Sequence, residues 1–457
     1  MAMAVALRLY FAFRMQVLAG DTLVYGEIAK CLLNSHIYGM VKATGCAPTL
    51  IRLPGYPAFL AFSFLLSGQD HYIGATLLQL MIDLLTCFTV ADITRRVFRD
   101  VSPDKAAQLA FLLAATCPFL INYVSTPLTE CLEIFCIAAA LDCAIIALDE
   151  TEVDGRFMRW WVLCGLFCAG AILLRPDGGL VLGSLGLPVL VMAFRRPSRS
   201  RELMAGLLLL GVVSLAPLVP WAIRNWRVMH VFQPLVTMSA TDPGEEIQHG
   251  AGRWLKTWLI DYSDTLDVGF NLPGDAVSLA DIPDRAYANS QQRVEVRDLF
   301  DQYNSNGYDI THEMDRRFAT LAEESIRLHP VRYYLVLPMA RMLDMWFRPR
   351  TEMLPLDTHF WRIRQDPRSS LYSIALALLN LAYVAAAVPA AWRLRHHIRY
   401  LSLLVTFPVV RSLFLASIGA SEDRYTMECY PFVLVLASCF LCWWWEQRRT
   451  TAHKTVA

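Results

Sequence analysis

The chain has 457 residues, of which 55% are hydrophobic and 18% are charged. A soluble domain carries roughly a quarter charged residues, so this composition excludes an ordinary soluble enzyme. Lysine plus arginine and aspartate plus glutamate balance at 41 each, so no strong net field draws the protein to nucleic acid or to anionic lipid.

Apolar blocks of roughly 17 to 25 residues predict about ten transmembrane helices in an all-α chain, because this length crosses the hydrocarbon core of a bilayer. The predicted helices cover residues 2–17, 71–93, 106–122, 127–148, 159–174, 178–194, 203–223, 371–391, 400–418 and 429–445. Alternate connections are rich in arginine, which places those connections and both termini in the cytoplasm. We therefore expect three exterior regions, at 18–70, 224–370 and 419–428.

The long exterior region divides the chain into three parts. We expect an N-terminal transmembrane module (1–223), a periplasmic cap between the seventh and eighth helices (224–370), and C-terminal transmembrane helices with a cytoplasmic tail (371–457). Two apolar blocks leave the number of spans open. Block 54–68 is short and begins with prolines, and block 331–347 contains ionised residues that are costly at mid-bilayer, so we expect both to lie at the membrane surface.

Within the cap, the charged and periodic stretch 291–328 predicts helices. Trp254 and Trp258 are four positions apart and would share one face of a helix. That face is either a platform for stacking sugars or a stripe of the cap's core.

The first predicted helix is short and holds Arg8 and Arg14 inside its apolar stretch. Either the helix is a truncated start, or its arginines extend to the membrane surface. In the loop that follows, Cys31 and Cys46 could form a disulfide bond if the loop faces an oxidising compartment. Most of the other cysteines lie in or beside apolar blocks, and none has the spacing of a zinc site.

Asp21 directly follows the first predicted helix, just outside the membrane. One interpretation is a helix N-cap whose side chain bonds the exposed amides of segment 22–33. The functional interpretation is favoured by neighbours at the same depth. Arg52 lies in the same loop, directly before the Pro-Gly-Tyr-Pro turn that contains Tyr56.

Further arginines follow exterior ends of helices, where the charge rule disfavours them. They anchor lipid headgroups, or they bind a phosphate through the planar fork of the guanidinium. We predict a lipid-phosphate and donor site from the following residues: Arg52, Tyr56, Arg175, Arg224, Arg424 and Tyr425.

Glu130 lies in the first turn of the fourth predicted helix, near its outer end. A stabilising charge at a helix start is the plain explanation, because a carboxylate there complements the helix dipole. A second acid or a metal ligand is the alternative. Asp21 has no second acid beside it, so the sequence assigns no metal ligand, and a divalent metal cofactor stays an open alternative.

Six short motifs occur in a consistent order and on one side of the membrane. They are Asp21 with Tyr25 four residues later, R-x-P-G-Y-P, L-T-E, L-L-R-P, P-W-x-x-R-N, and a late E-D-R-Y-x-x-x-x-Y-P. Together they resemble the GT-C membrane glycosyltransferases, in the branch of the protein mannosyltransferases and aminoarabinose transferases. The resemblance covers residues 1 to about 225 well and 371–445 loosely, and the cap shows no specific match.

The resemblance implies a GT-C fold in the plasma membrane, the inner membrane of a bacterium, with the active site on the periplasmic side. It implies a hexosyl or pentosyl donor linked to polyprenyl phosphate and a lipid, glycan or protein acceptor. It also makes Asp21 the catalytic carboxylate and places Arg52, Arg424 and Tyr425 in the lipid-phosphate site.

A lipid-linked donor keeps the reacting carbon at the membrane surface. A carboxylate there can take the proton of the acceptor hydroxyl as general base, and arginines can stabilise the departing phosphate. Direct attack predicts inversion at the sugar carbon. The alternatives are an O-antigen ligase-like transferase, which would place its arginines and a histidine in the large loop, and a transporter or flippase, which often shows repeated halves that are not obvious here.

Overall fold

A computed structural model describes residues 1–150, 157–237 and 239–456. Met238 of the predicted cap and Ala457 of the predicted tail lie outside the described residues. The structure divides into two compact units, which we call the membrane unit and the cap unit. The membrane unit comprises Met1–Gly244, Leu381–Val410 and Met427–Ala457, and the cap unit comprises Glu245–Asn380 and Arg411–Thr426.

The first part of the membrane unit is almost entirely helical. Its helices are α1 (Ala2–Arg14), α2 (Gly20–Ser35), α3 (Gly55–Ser67), α4 (Tyr72–Val97), α5 (Pro103–Thr116), α6 (Pro118–Ser125), α7 (Glu130–Glu150), α8 (Met158–Leu174), α9 (Leu180–Arg195), α10 (Ser200–Leu215) and α11 (Leu218–Met229). Between α2 and α3, strands β1 (Gly39–Lys42) and β2 (Gly45–Pro48) form an antiparallel hairpin in which Gly39 pairs with Pro48.

The cap unit begins with short helices and contains two longer ones. In chain order, the helices are α12 (His249–Lys256), α13 (Tyr262–Asp264), α14 (Ser290–Ser305), α15 (His312–Leu328) and α16 (Leu337–Phe347). The two longer ones are α14 and α15. Helices α17 (Pro367–Arg393) and α18 (Leu401–Ser417) contribute residues to both units. A 3-10 segment (Asp423–Cys429) then leads into α19 (Tyr430–Val456).

Many of these helices have the length and composition of membrane spans. Among the described residues, six helices satisfy both criteria, and the bent pair of α5 and α6 makes a seventh if it is one span. Helices α3, α8 and α18 are apolar but shorter. The prediction of an all-α polytopic membrane protein is therefore confirmed.

Two charged residues inside the membrane unit are paired with each other. Arg8 of α1 is fully buried, and its Nε lies 2.5 Å from Oδ2 of Asp83 on α4. Its Nη1 donates to the carbonyl oxygen of Ala115 at 2.9 Å. An ionised side chain in a bilayer is costly without such partners. For Arg8, the alternative in which the side chain extends to the membrane surface is therefore wrong.

The core of the cap unit is aromatic. Trp254 and Trp258 are fully buried, and Trp254 packs against Phe300 of α14 and Phe318 of α15. The two tryptophans thus form a core stripe, and the alternative of a sugar-stacking platform is wrong. Helices α14 and α15 occupy the stretch that was predicted to be helical.

The apolar block 331–347 packs within the cap unit through a buried arginine. Arg341 of α16 donates to the carbonyl oxygen of Leu259 at 2.8 Å and also to that of Lys256. Burial lowers the pKa of Arg341 to about 10. The two backbone oxygens that it bonds lie near the C-terminal end of α12. The helix dipole favours a cation at that end.

Candidate active site

Asp21 lies in the first turn of α2, where a carboxylate complements the helix dipole. The N-cap residue of this helix is Ala19, so the N-cap interpretation of Asp21 is wrong. Its Oδ1 accepts a hydrogen bond of 2.6 Å from Nη2 of Arg52. The two side chains remain partly open, with 31% of Asp21 and 22% of Arg52 exposed.

The backbone around Arg52 is held by a buried tyrosine. The hydroxyl of Tyr38 lies 2.9 Å from the carbonyl oxygen of Arg52 and 3.0 Å from that of Leu53. The Tyr38 ring packs edge-on against Trp221 of α11, with 4.9 Å between ring centroids. Burial raises the pKa of Tyr38, so its hydroxyl keeps the proton that it donates.

Arg224 of α11 supports the same loop. Its Nη2 donates to the carbonyl oxygen of Tyr38 at 2.6 Å and its Nη1 to that of Thr49 at 3.1 Å. The guanidinium also stacks on the rings of Tyr38 and Trp221. The structure thus places this predicted phosphate-site residue beneath the β-hairpin, with its fork on backbone oxygens.

A disulfide bond joins α2 to the hairpin. Cys31 near the end of α2 is bonded to Cys46 of β2, 15 residues later. The helix that carries Asp21 and the strand that leads to Arg52 are therefore covalently linked, and the pairing left open by the sequence is present in the structure.

Two tyrosines lie behind the Asp21–Arg52 pair. The guanidinium of Arg52 lies 5.6 Å from the centre of the Tyr25 ring, within the range of a cation–π contact. Tyr25 packs edge-on against Tyr56, with 5.0 Å between centroids. Burial raises the pKa of Tyr25 to about 12, and the charges of Asp21 and Arg52 act on it as well.

Tyr56 is fully buried and is part of a hydrogen-bond network. Its hydroxyl donates to Oε1 of Gln79 at 2.6 Å. The amide nitrogen of Gln79 lies within hydrogen-bond distance of the carbonyl oxygens of Tyr123, Val124 and Thr126. Tyr56 is thereby connected to the turn that precedes Glu130.

A second arginine, Arg175 at the end of α8, lies among four carboxylates. Its Nη1 is 3.2 Å from Glu130 and 3.9 Å from Glu428, and its Nε is 3.3 Å from Asp177 and 3.5 Å from Glu133. We call these five residues the Arg175 cluster. The side chains of Glu130, Glu133 and Glu428 are at most 1% exposed.

Sequence reasoning missed three members of this cluster, Glu133, Asp177 and Glu428, and Asp177 is only two positions after Arg175. Glu133 is three positions after Glu130 and so shares its face of α7, which is a signal that the helix period provides. Glu428 lies between the predicted site residue Tyr425 and the last apolar block, and an acid there is costly unless it is paired.

Close backbone packing brings these parts of the membrane unit together. The hydroxyl of Thr22 donates to the carbonyl oxygen of Pro127 at 3.0 Å, which joins α2 to the turn before α7. A Cβ atom at Gly55 would lie 2.6 Å from the carbonyl oxygen of Leu173, so only glycine fits between α3 and the end of α8. The charges of Asp21, Arg52, Glu130 and Arg175 all influence the hydroxyl of Tyr25.

Arg424 and Tyr425, the other predicted phosphate-site residues, belong to the cap unit. The Nε of Arg424 lies 2.6 Å from Oε2 of Glu422, and the Tyr425 hydroxyl donates to the other oxygen of that carboxylate. The guanidinium of Arg424 also lies 5.5 Å from the centre of the Tyr425 ring. The three residues form a local cluster at the start of the 3-10 segment.

The acidic side chains do not form a recognisable metal site. Within residues 1–150, 157–237 and 239–456, no group of three or more histidine, cysteine, aspartate or glutamate side chains could hold a metal ion. The carboxylates of Asp21 and Glu130 contact Arg52 and Arg175 instead.

Comparison with known proteins extends this description. Residues 48–222 match the family model of the dolichyl-phosphate-mannose-protein mannosyltransferases. The oligosaccharyltransferase AglB from Archaeoglobus fulgidus, in complex with an inhibitory peptide and a dolichol-phosphate, superposes with a TM-score of 0.54 at 13% identity. AglB is a GT-C glycosyltransferase. The chain has a GT-C fold.

This fold confirms the resemblance that the motifs indicated. The match to AglB covers 100% of this chain and 51% of that chain, so the chain spans about half the length of AglB. The apo form of the same enzyme gives a TM-score of 0.52 at 12% identity with the same coverage. ArnT from Cupriavidus metallidurans, bound to undecaprenyl phosphate, gives 0.40 at 13% identity over 96% of this chain and 76% of that chain. No curated protein sequence matches the chain significantly.

The segment that matches the mannosyltransferase family model includes several of the residues described above. It begins shortly before Arg52 and ends shortly before Arg224, so it contains Arg52, Tyr56, Glu130 and Arg175. Asp21 precedes the matched segment.

Proposed function

We propose that the chain is a membrane glycosyltransferase that transfers a sugar from a polyprenyl-phosphate donor to an acceptor hydroxyl. The observation that carries this proposal is the half-open Asp21–Arg52 pair, which combines a carboxylate and a guanidinium at 2.6 Å. The GT-C fold supports it, and the AglB structure that shares this fold contains a dolichol-phosphate.

Asp21 is the general base of the proposed reaction. Its carboxylate takes the proton of the acceptor hydroxyl while that oxygen attacks the sugar carbon, and the bond from the carbon to the phosphate oxygen breaks. Such base catalysis contributes about 10² to 10⁴-fold. A single displacement of this kind inverts the configuration of the sugar carbon.

Arg52 binds the departing phosphate in this proposal. Its guanidinium has a fork suited to two phosphate oxygens and is 22% exposed at the side chain. When the donor phosphate takes over part of this fork, the oxygen of Asp21 that faced Arg52 becomes available to the acceptor hydroxyl. The ion pair is therefore the state before the donor binds, in which Arg52, the residue that will bind the phosphate, contacts the base Asp21.

Arg175 is less suited to bind the phosphate directly. Four carboxylates lie within 3.9 Å of its guanidinium, and their negative charge would repel a phosphate. We assign Arg175 to holding α8 against α7, and Glu130 to the same cluster rather than to a second general acid. Arg224 positions the loop of Arg52. A phosphate contact by Arg424 and Tyr425 stays a separate prediction for the cap unit.

An apolar groove on α11 provides a place for the lipid chain of the donor. The groove has a volume of about 560 Å³ and is lined by Leu218, Val219, Ala222, Ile223, Trp226, Arg227, Phe232 and Pro234. The opposite face of α11 carries Trp221 and Arg224, which contact the loop before Arg52. A chain in this groove would lie on the helix that supports the reacting site.

The disulfide bond between Cys31 and Cys46 supports an exterior location of the site. Disulfides persist in oxidising compartments such as the bacterial periplasm. Because this bond lies in the loop that carries the Asp21–Arg52 pair, we place the site on the outer face of the inner membrane.

The test is transfer by the purified full-length protein in lipid nanodiscs. A panel of hexosyl and pentosyl polyprenyl phosphates is offered with lipid, glycan and peptide acceptors, and the product is analysed by NMR. We expect consumption of one donor and an inverted anomeric centre. Retention of configuration would contradict the single displacement. Movement of a donor across the bilayer of sealed proteoliposomes, without transfer, would support a flippase instead.

A further inference from the structure

A second groove lies at the other end of the membrane unit. Helix α4 runs from Tyr72, whose hydroxyl packs close to Gly26 of α2, to Val97, whose carbonyl oxygen accepts from the backbone of Arg399. The groove lies beyond the Val97 end, between α5 and α19. It has a volume of about 230 Å³ and is lined by Lys105, Leu109, Cys442, Trp445, Glu446 and Arg449.

The rim of this groove carries more positive than negative charge. Lys105 Nζ lies 2.7 Å from Oε1 of Glu446, so that pair is neutral. Arg449 adds a further positive charge and lies 5.4 Å above the ring of Trp445. Next to it, the guanidinium of Arg448 lies 3.8 Å from the ring of Trp444. Tryptophan and arginine together are typical of the headgroup region of a bilayer.

An apolar path leads away from the charged rim. Lys105, Leu109 and Leu112 follow each other at helical spacing on one face of α5. Leu109 lines the groove, and Leu112 is 48% exposed one turn further along the helix. Trp445 on the opposite wall is 61% exposed. The groove is therefore charged at its mouth and apolar toward the centre of the bilayer.

We propose that this groove binds one anionic membrane phospholipid, such as phosphatidylglycerol. The single negative charge of its phosphodiester would lie against Arg449 and Lys105, and one acyl chain would follow Leu109 and Leu112. The occupant is a lipid rather than a soluble phosphate because the apolar path continues directly from the charged rim. The site lies at the end of α4 opposite the Asp21 site and does not depend on the proposed transfer reaction.

The test is lipid binding by delipidated full-length protein, measured by native mass spectrometry. Each basic residue near a membrane surface contributes roughly 1 kcal/mol toward an anionic lipid, which corresponds to about a five-fold change in affinity. We expect phosphatidylglycerol to bind at least five-fold more tightly than phosphatidylcholine. Arg449→Gln should lower that affinity about five-fold, and so should Lys105→Gln, which also breaks the pair with Glu446.

The matched control is Arg395→Gln. Arg395 lies 5.6 Å above the ring of Trp392 at the same end of the membrane unit, but it does not line the groove. Phosphatidylglycerol binding by this variant should equal that of the wild type. Equal binding of the two lipids, an equal loss in Arg395→Gln, or displacement of the lipid by millimolar glycerol phosphate would each overturn the proposal.

Discussion

The Asp21–Arg52 pair and the Arg175 cluster both place an arginine against carboxylates in the membrane unit, but they differ in exposure and in charge balance. Asp21 keeps 31% of its side chain exposed, whereas Glu133 and Glu428 are fully buried. Arg175 contacts four carboxylates, and the one ion pair described for Arg52 is with Asp21. The difference teaches that the carboxylate of the Asp21–Arg52 pair keeps access to the outside of the protein, whereas the three glutamates of the Arg175 cluster do not.

The largest expected effect is a loss of transfer rate on changing Asp21, the proposed base of the Asp21–Arg52 pair, which we call the open pair. Asp21→Asn keeps the shape of the side chain but cannot accept the proton, so we expect the transfer rate to fall by about 10² to 10⁴-fold with little change in donor KM. The measurement is kcat for transfer in nanodiscs, with Asp70→Asn as the control. Asp70, which follows α3, is also ion-paired, 2.9 Å from Lys30, and its variant should keep the wild-type rate. A wild-type rate in a correctly inserted Asp21→Asn protein would remove Asp21 from the mechanism.

Breaking the Arg175 cluster should instead lower the stability of the folded protein. Arg175→Met leaves Glu130, Glu133 and Glu428 buried without their cation, and breaking such a pair costs about 3–5 kcal/mol. We expect a strongly lowered yield and melting temperature of the purified protein, partly restored in Arg175→Lys. The comparison variant is Arg52→Met, which breaks a part-exposed pair and should cost at most about 1 kcal/mol. Equal losses of stability in the two methionine variants would break the distinction between the regions.

The sequence predicted the open pair better than the buried cluster, for a physical reason. Asp21 and Arg52 belong to one predicted exterior region, 18–70, so the prediction that they meet needs little knowledge of how the helices pack. Arg175, Glu130 and Glu428 come from three distant segments, and only the arrangement of the helices brings them together. Charge and predicted membrane depth therefore identified Arg175 and Glu130 as separate candidates. They did not predict that the two residues contact each other or share further partners.

The same limit explains the errors elsewhere. Arg8 and Asp83 are separated by 75 positions, and the sequence alone shows each of them only as a charge within an apolar block. Their pairing depends on the contact between α1 and α4, which no periodicity reveals. The fold class, by contrast, follows from the length of the apolar blocks alone, because the bilayer requires that length whichever helices are neighbours.

A third prediction extends the comparison to a buried carboxylate outside the predicted spans. Burial raises the pKa of Asp344 in α16 from 3.8 to about 6. The folded state then binds more protons than the unfolded state between these two values, so stability is highest at low pH and falls as the pH rises through about 6. Hydrogen exchange of cap peptides in the full chain should show more protection at pH 5 than at pH 7.

Asp344→Asn should flatten this pH dependence, because the amide cannot ionise. Asp284 provides the control, since its side chain is 90% exposed and Asp284→Asn should leave the pH dependence intact. Asp264 also has its pKa raised to about 6 by burial, and burial raises the pKa of Asp267 and Asp423 in the cap unit too, so part of the dependence should persist in Asp344→Asn. Protection of the cap peptides that increases from pH 5 to pH 7 would contradict the raised pKa of Asp344.

The smallest expected effect concerns how the open pair is held in place. Tyr38→Phe removes the hydroxyl that bonds the carbonyl oxygen of Arg52, and the loss of one such bond costs about 1 kcal/mol. Because the loop remains tied by Arg224 and by the disulfide bond, we expect a few-fold higher donor KM with kcat nearly unchanged. Tyr10→Phe, at a 57% exposed position, is the control and should change neither constant. A residue that only supports Arg52 should alter donor binding before it alters the chemical step. A loss of kcat as large as that of Asp21→Asn would instead place the Tyr38 hydroxyl among the reacting groups.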